Sequence, residues 1–249
     1  MKISVVTAVM NGCDTLPRAI KSLRQQTYGD IEHIVQDGGS TDGTLEFLRD
    51  HDHPNMAVVS AKDAGIYDAI NTGISRATGD VIGLLHADDQ LARADIIEQV
   101  ARAMRDPEID GVYGDLQYIG QGDPAPIVRH WNAGSYSRSR LKWGWMPPHP
   151  TFYLRREVFD RLGMYDTSFR ISGDYDAMLR YLVRGNIRLA YIPQVMVRMQ
   201  VGGASNRSVS QMMRKSREDY RAIRRHRVGG VGTLIAKNLS KLPQFFNHP

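Results

Sequence analysis

The sequence predicts an α/β fold: a doubly wound, mostly parallel sheet flanked by helices, followed by a basic helical tail. Three observations lead there. Short apolar runs alternate with segments of helical periodicity from Ile3 to Arg105. The joints between them are short, as in strand–helix–strand units. Two of the apolar runs also end abruptly in acids, at Asp37 and at Asp88-Asp89. Open α/β sheets bind their ligands at that carboxyl edge.

Ile3–Val9 reads as the first strand and stops at the turn signal Asn11-Gly12. Thr15–Gln26 follows as a helix, with Leu16, Ile20 and Leu23 on one stripe. Ile31–Gln36 and Met56–Ser60 are strands on either side of a helix at Thr44–Asp50. Ile66–Ala77 is helical, with Ile66, Ile70 and Ile74 aligned. Val81–His86 is the strand that delivers the acidic pair, and Ala94–Arg105 is the next helix. After Asp110 the pattern loosens into a strand at Val112–Ile119 and a Gly/Pro-rich turn at Gly120–Pro126. Residues 131–150 hold Trp131, Trp143, Trp145 and three prolines, a long aromatic loop of the kind that forms a binding surface. Helical patterns return at Arg156–Leu162 and Tyr175–Val183, strands at Ile187–Ile192 and Val195–Gln200, and a basic helix from Arg207 to about Arg227. The expected division is one domain over 1–206, with halves 1–115 and 116–206, and a helical extension over 207–249.

Composition narrows the function. A single cysteine, Cys13, excludes a disulfide framework and suits a reducing, cytoplasmic setting. The N-terminal apolar run ends at Met10, so it reads as a core strand rather than a signal segment. No run is long enough to span a bilayer. The net charge of +5 is uneven: residues 214–249 hold nine Lys/Arg against Glu218 and Asp219, which leaves the rest at −2. A body without its own basic face is not a nucleic-acid binder. In the tail, Leu234, Ile235, Leu239, Leu242, Phe245 and Phe246 are interleaved with Lys237 and Lys241. That mixture suits either an anionic membrane surface or a helix packed on the body with a solvated basic face.

Several strand ends carry candidate chemistry. Asp88 and Asp89 repel as neighbouring carboxylates and call for a cation or hydrogen-bond donors. A hard divalent metal holding phosphate oxygens would meet both needs, whereas a helix N-terminus would account for only one of them. In the loop Asp37-Gly-Gly-Ser-Thr-Asp-Gly-Thr44 the glycines permit close approach to a ligand, while Ser, Thr and Asp equally suit capping of the next helix. It is neither a Walker loop nor a GxGxxG turn. Thr7 and Asn11 lie at the same edge. Asp63 stands before a helix as a cap or a cleft residue, and Asn71 shares a helix face with Tyr67. Lys62 offers a point cation for phosphate. In Ser172-Gly-Asp174-Tyr-Asp176 one acid can cap the helix, leaving the other as a general base. His149 is enclosed by prolines in Met-Pro-Pro-His-Pro.

From Ile3 to Gly203 the order Thr7…Asn11, IVQDGGSTDGT, KDAGIYDAIN, LLHADD, HPTFYLRREVFDRLGMYD, GDYDAMLR resembles the family 2 glycosyltransferases of the A-type (GT-A) fold. The variants present are similar to the subgroup of bacterial exopolysaccharide and colanic-acid-type enzymes. The resemblance implies a Rossmann-like nucleotide-binding half and a set of roles. Asp37, with Thr7 and Asn11, would hold the nucleotide base, and Asp63 and Asn71 would line the nucleotide-sugar cleft. Asp88 and Asp89 would contact ribose and carry Mn2+ or Mg2+ on the diphosphate. Asp174 would be the base, and His149 and Trp145 would face the acceptor. One departure is His86, which stands where many relatives have an acid.

The activity so implied is inverting, metal-assisted transfer from a UDP- or GDP-sugar to a glycan or lipid-linked acceptor, in bacterial surface polysaccharide synthesis at the inner face of the membrane. Two other classes compete with it. A non-catalytic nucleotide-sugar-binding scaffold would not need Asp174. A nucleotidyltransferase would need a triphosphate loop, and the sequence has none.

Overall fold

The computed structural model describes residues 1–122, 125–201 and 209–240. The tail residues Lys241, Leu242, Phe245 and Phe246, and the expected helix start at Arg207, lie outside the described residues.

The first half runs β1 (Ile3–Val9), α1 (Leu16–Arg24), β2 (Ile31–Asp37), α2 (Thr44–Asp50), β3 (Met56–Ser60), α3 (Ile66–Arg76) and β4 (Val81–Leu84). These four strands are parallel in the order β3-β2-β1-β4. All seven residues of β1 are buried because both faces of the sheet are covered. Val6 and Ala8 join the core shared with Ile70 and Ile74 of α3, and Ile3 and Val5 join the opposite core with Ala19 and Leu23 of α1.

Beyond β4 come β5 (Asp89–Leu91), α4 (Ile96–Ala103), β6 (Gly111–Ile119), β7 (Ile127–Trp131), β8 (Tyr153–Arg155), α5 (Arg156–Leu162), α6 (Gly173–Leu179) and β9 (Leu189–Gln200). β8 joins β4 antiparallel and makes the sheet mixed; β6 pairs with β8, β7 and β9, and β5 closes the far edge against β9. Two short 3-10 turns, Arg138–Trp143 and His149–Thr151, order the aromatic loop, and a π-helical turn at Arg180–Arg184 extends α6.

The second half departs from expectation in three places. β5, β7 and β8 add strands, and β5 begins at Asp89 itself and precedes α4, so the acidic pair does not start a helix. The two strands expected around residue 193 are one. The register shifts where Gly114 faces Ile192 and Asp115 faces Val195, bulging at Pro193, which has no N–H for the ladder.

Gly83, in the middle of β4, lies under the Tyr153 ring of β8; a Cβ there would come within 2.1 Å of it. Gly83→Ala is therefore expected to destabilise the fold by about 1–3 kcal/mol, read as a lower Tm. An unchanged Tm would show that Tyr153 can move aside.

The tail forms α7 (Val209–Arg225) and α8 (Val231–Leu239). Ala222, Ile223 and Val228 enter the same core as Tyr175 and Tyr181. At Gly144 (φ +76), α8 backs so closely onto the aromatic loop that a Cβ would lie 2.3 Å from the Lys237 Cα. No helix among the described residues is long and apolar enough to cross a membrane.

Candidate active site

Because β1 to β4 are parallel, the loops after them gather at one edge. Asn11, held at φ +52, accepts the Thr41 amide at 2.9 Å and gives its own amide to Ser40 Oγ at 2.8 Å. Asp42 accepts the amides of Cys13 and Thr44, starting α2. Asp63 accepts the Gly65 amide at 2.9 Å, and its other oxygen would lie 2.6 Å from a Cβ on Gly38. A Cβ at position 38 would push the Asp63 carboxylate away from the Asp37 loop.

Asp37 itself is fully buried. Its Oδ2 accepts the Gly39 amide (2.9 Å), the Ser40 amide (3.0 Å) and the Ser60 hydroxyl (2.6 Å), and Oδ1 accepts the Ser40 hydroxyl. Burial alone would raise its pKa, but these bonds outweigh it and hold the carboxyl below its ordinary value. Asp37 therefore shapes the loop, and the groups at the rim are Asn11, Gly39, Lys62 and Asp63.

Three other expected ligand contacts are committed elsewhere. Thr7 is fully buried; its hydroxyl donates to the Leu85 carbonyl at 2.8 Å and meets His33 Nε2 at 3.0 Å, tying β1 to its neighbours. The Asn71 amide forms a two-point clamp on the Tyr165 backbone, at 2.8 and 2.9 Å, to satisfy a loop with no strand partner. Trp145 donates its indole N–H to the Ala133 carbonyl at 2.8 Å and packs against Tyr113 and Tyr136. It is a core support of the aromatic loop, whereas Trp143 is the exposed indole.

The structure separates the acidic pair. Asp88 is half-buried. Asp89, opposite Met199 of β9, is fully buried, with both carboxylate oxygens lacking a partner among the described residues. Burial first, and the Asp88 charge second, push its pKa well above the ordinary value. No group of three or more His, Cys, Asp or Glu side chains suited to a metal occurs among the described residues. The donor set, a half-exposed carboxylate with a second behind it, fits a hard cation that takes most of its oxygens from phosphate and water.

Asp174 lies in the first turn of α6 with a side chain 20% exposed. His149 Nδ1 stands 3.3 Å from its Oδ2, and the Tyr67 hydroxyl stands 3.2 Å from Oδ1 and 2.6 Å from the Ile171 carbonyl. Gly173 admits the Tyr67 ring, which a Cβ would meet at 2.8 Å. Burial pushes the His149 pKa down to about 4 against the pull of Asp174, so the ring is neutral at pH 7. The His86 ring meets His149 edge-on at 5.2 Å, and burial lowers its pKa while the Asp88 and Asp174 charges oppose that. His86, Asp88, His149 and Asp174 thus form one electrostatic cluster.

Sequence reasoning missed what holds Asp174. Glu218 of α7 accepts three successive amides, Arg170 at 3.1 Å, Ile171 at 2.8 Å and Ser172 at 2.9 Å, which fixes the turn into α6. Asp176 is not a cap either; it is buried against His226 Nε2 at 2.9 Å and Arg225 at 3.4 Å. Asp219 pairs with Lys237 at 2.7 Å, and that ammonium lies 3.5 Å over the Tyr175 ring. Burial lowers the Lys237 pKa to about 8, opposed by the Asp219 charge. One signal was available: Glu218 and Asp219 are the only acids after residue 213, among nine cations.

The fold and this cluster define an α/β enzyme with acids at a sheet edge and a candidate base beside them. The chain belongs to glycosyl transferase family 2, whose family model matches residues 4–171. It is 31% identical over 217 residues to a PGL/p-HBAD biosynthesis glycosyltransferase of Mycobacterium bovis (strain BCG / Pasteur 1173P2), covering 84% of this chain and 80% of that one. It is 29% identical over 181 residues to chondroitin synthase of Escherichia coli, covering 72% of this chain and 26% of the larger protein. Among solved structures it is similar to S. aureus TarS 1-349 in complex with UDP-GlcNAc (TM-score 0.69, 17% identity, 92% of this chain and 66% of that one). It is also similar to the mannosyltransferase PcManGT from Pyrobaculum calidifontis in complex with GDP-Man and Mn2+ (TM-score 0.68, 18% identity, 98% and 73%). The protein is a glycosyltransferase with the GT-A fold.

Proposed function

We propose that the protein transfers a sugar from a UDP- or GDP-linked donor to a hydroxyl of a glycan or lipid-linked acceptor, with inversion, in bacterial surface polysaccharide synthesis. The observation that carries this reading is the meeting of Asp88 and Asp174 around His86 and His149. The donor is a nucleoside diphosphate sugar, lying along the rim formed by Asn11, Gly39 and Asp63 with its diphosphate towards Asp88. Asp174 takes the proton of the acceptor hydroxyl as that oxygen attacks the anomeric carbon, and the bond to the diphosphate breaks on the opposite face. A neutral His149 beside the Asp174 carboxylate favours its Nδ1–H tautomer, which orients the carboxylate without adding a positive charge that would weaken the base. Asp88, backed by Asp89, would hold Mn2+ or Mg2+, which when bound neutralises charge on the departing diphosphate. The reaction takes place on the cytoplasmic side, at the membrane surface.

The test is calorimetric titration with UDP- and GDP-sugars in Mn2+ or Mg2+, followed by product analysis with glycan acceptors. Metal-strengthened binding of one donor and an acceptor product of inverted anomeric configuration are expected. A donor that binds and is never consumed would favour a scaffold, and pyrophosphate released from a nucleoside triphosphate would favour nucleotidyl transfer.

A further inference from the structure

The helix α8 keeps Leu234 against the core but turns a second apolar stripe outward. Thr233 and Lys237 are buried, whereas Val231, Ile235 and Leu239, four residues apart on one stripe, are 59%, 53% and 56% exposed. A helix on a globular body ordinarily turns such a stripe to the core. Here the rotation is fixed by Lys237, whose ammonium reaches inward to Asp219 and the Tyr175 ring, and by Gly144, which backs onto its main chain. Trp143, the neighbour of Gly144, is 73% exposed at the same contact.

Exposed cations stand on the elements next to α8. Arg138 and Lys142 are exposed on the turn that carries Trp143, and Arg224 and Arg227 are exposed where α7 leads into α8. The two acids of these helices are engaged elsewhere, Glu218 on the backbone before α6 and Asp219 on Lys237.

We infer that this face docks on an anionic phospholipid bilayer, laying Val231, Ile235, Leu239 and Trp143 into the boundary between headgroups and acyl chains. An apolar stripe beside a tryptophan, with Lys and Arg at its margins, matches the interfacial zone of a membrane. A second copy of the chain on the same face would set cation against cation. The inference deepens the membrane location proposed above and rests on it for its purpose, while the docking itself is tested without any acceptor.

The experiment is cosedimentation of the full chain with vesicles of phosphatidylcholine alone or mixed with phosphatidylglycerol. Binding to the mixed vesicles is expected, with a blue shift of tryptophan emission. Trp143→Phe should keep most of the binding and lose the shift. Ile235→Glu combined with Leu239→Glu should weaken partitioning by about tenfold or more, with Tm and calorimetric donor binding unchanged, because both positions are exposed on the side of α8 opposite the inward-facing Lys237. Wild-type protein that stays in the supernatant, or a double variant that partitions like wild type, would overturn the inference. So would a wild-type dimer, seen by light scattering, that the double variant dissolves into monomers. Loss of docking with donor binding intact would leave the glycosyl-transfer reading standing; loss of donor binding alone would strike that reading and spare the face.

Discussion

Asp174→Asn is expected to lower the turnover number for sugar transfer by roughly 10²–10⁴-fold, with donor affinity nearly unchanged. Asparagine has the volume of aspartate and can keep the contacts with His149 and Tyr67, and the turn stays fixed by Glu218. What it lacks is an oxygen able to take the acceptor proton. Steady-state kinetics with a soluble acceptor and donor titration on the same preparation separate the two effects. A variant that turned over at the wild-type rate would move the base elsewhere. His149 would then be the first alternative, as its neutral ring could accept a proton.

The second large effect divides the acidic pair. Asp88→Asn should cost roughly 10²-fold or more in transfer, the equivalent of losing a few kcal/mol of charge stabilisation on the leaving diphosphate, and donor binding should no longer strengthen when Mn2+ is added. Asp89→Asn should do something different. The native carboxyl is buried, its oxygens have no partner among the described residues, and its pKa is raised. The folded state therefore holds its proton to higher pH than the unfolded chain does. Stability contributed by the protonated form is present at low pH and is lost as pH rises above the unfolded-state pKa. Asp89→Asn removes that pH-dependent loss, so Tm at neutral pH should stay level or rise, with a modest effect on transfer. Calorimetry with Mn2+ and thermal melts of both variants check this; a collapse of metal-dependent binding in Asp89→Asn alone would reverse the assignment.

The first half of the fold was legible because its strands are short, largely apolar runs set between turn residues and helical patterns. The bounds of β1, α2 and β3 fall where the pattern places them. β5 and β8, at three residues each, are too short to show a period, and half-exposed β7 has polar residues at Arg129 and His130. The acid ending β2 and the acidic pair after β4 were visible in the sequence as polar stops after apolar runs. Their division of labour was hidden, since Asp37 and Asp89 differ from Asp63 and Asp88 only in burial, which depends on strands paired far along the chain. The internal bonds of Thr7 and Asn71 were hidden for the same reason: a polar side chain at a strand end or on a helix face looks alike whether it meets a ligand or a backbone group across the fold. The clamp of Glu218 on Ile171 spans 47 positions and has no local signature.

That clamp has a consequence for the timing of activity. On the ribosome the Tyr67 hydroxyl is available early to the turn carrying Asp174, but the three Glu218 bonds form only after α7 has emerged and folded back. Asn71 waits in the same way for Tyr165, and β5 for β9, so the sheet edge is also assembled late. A chain terminated before α7 is expected to lack the three bonds that hold that turn.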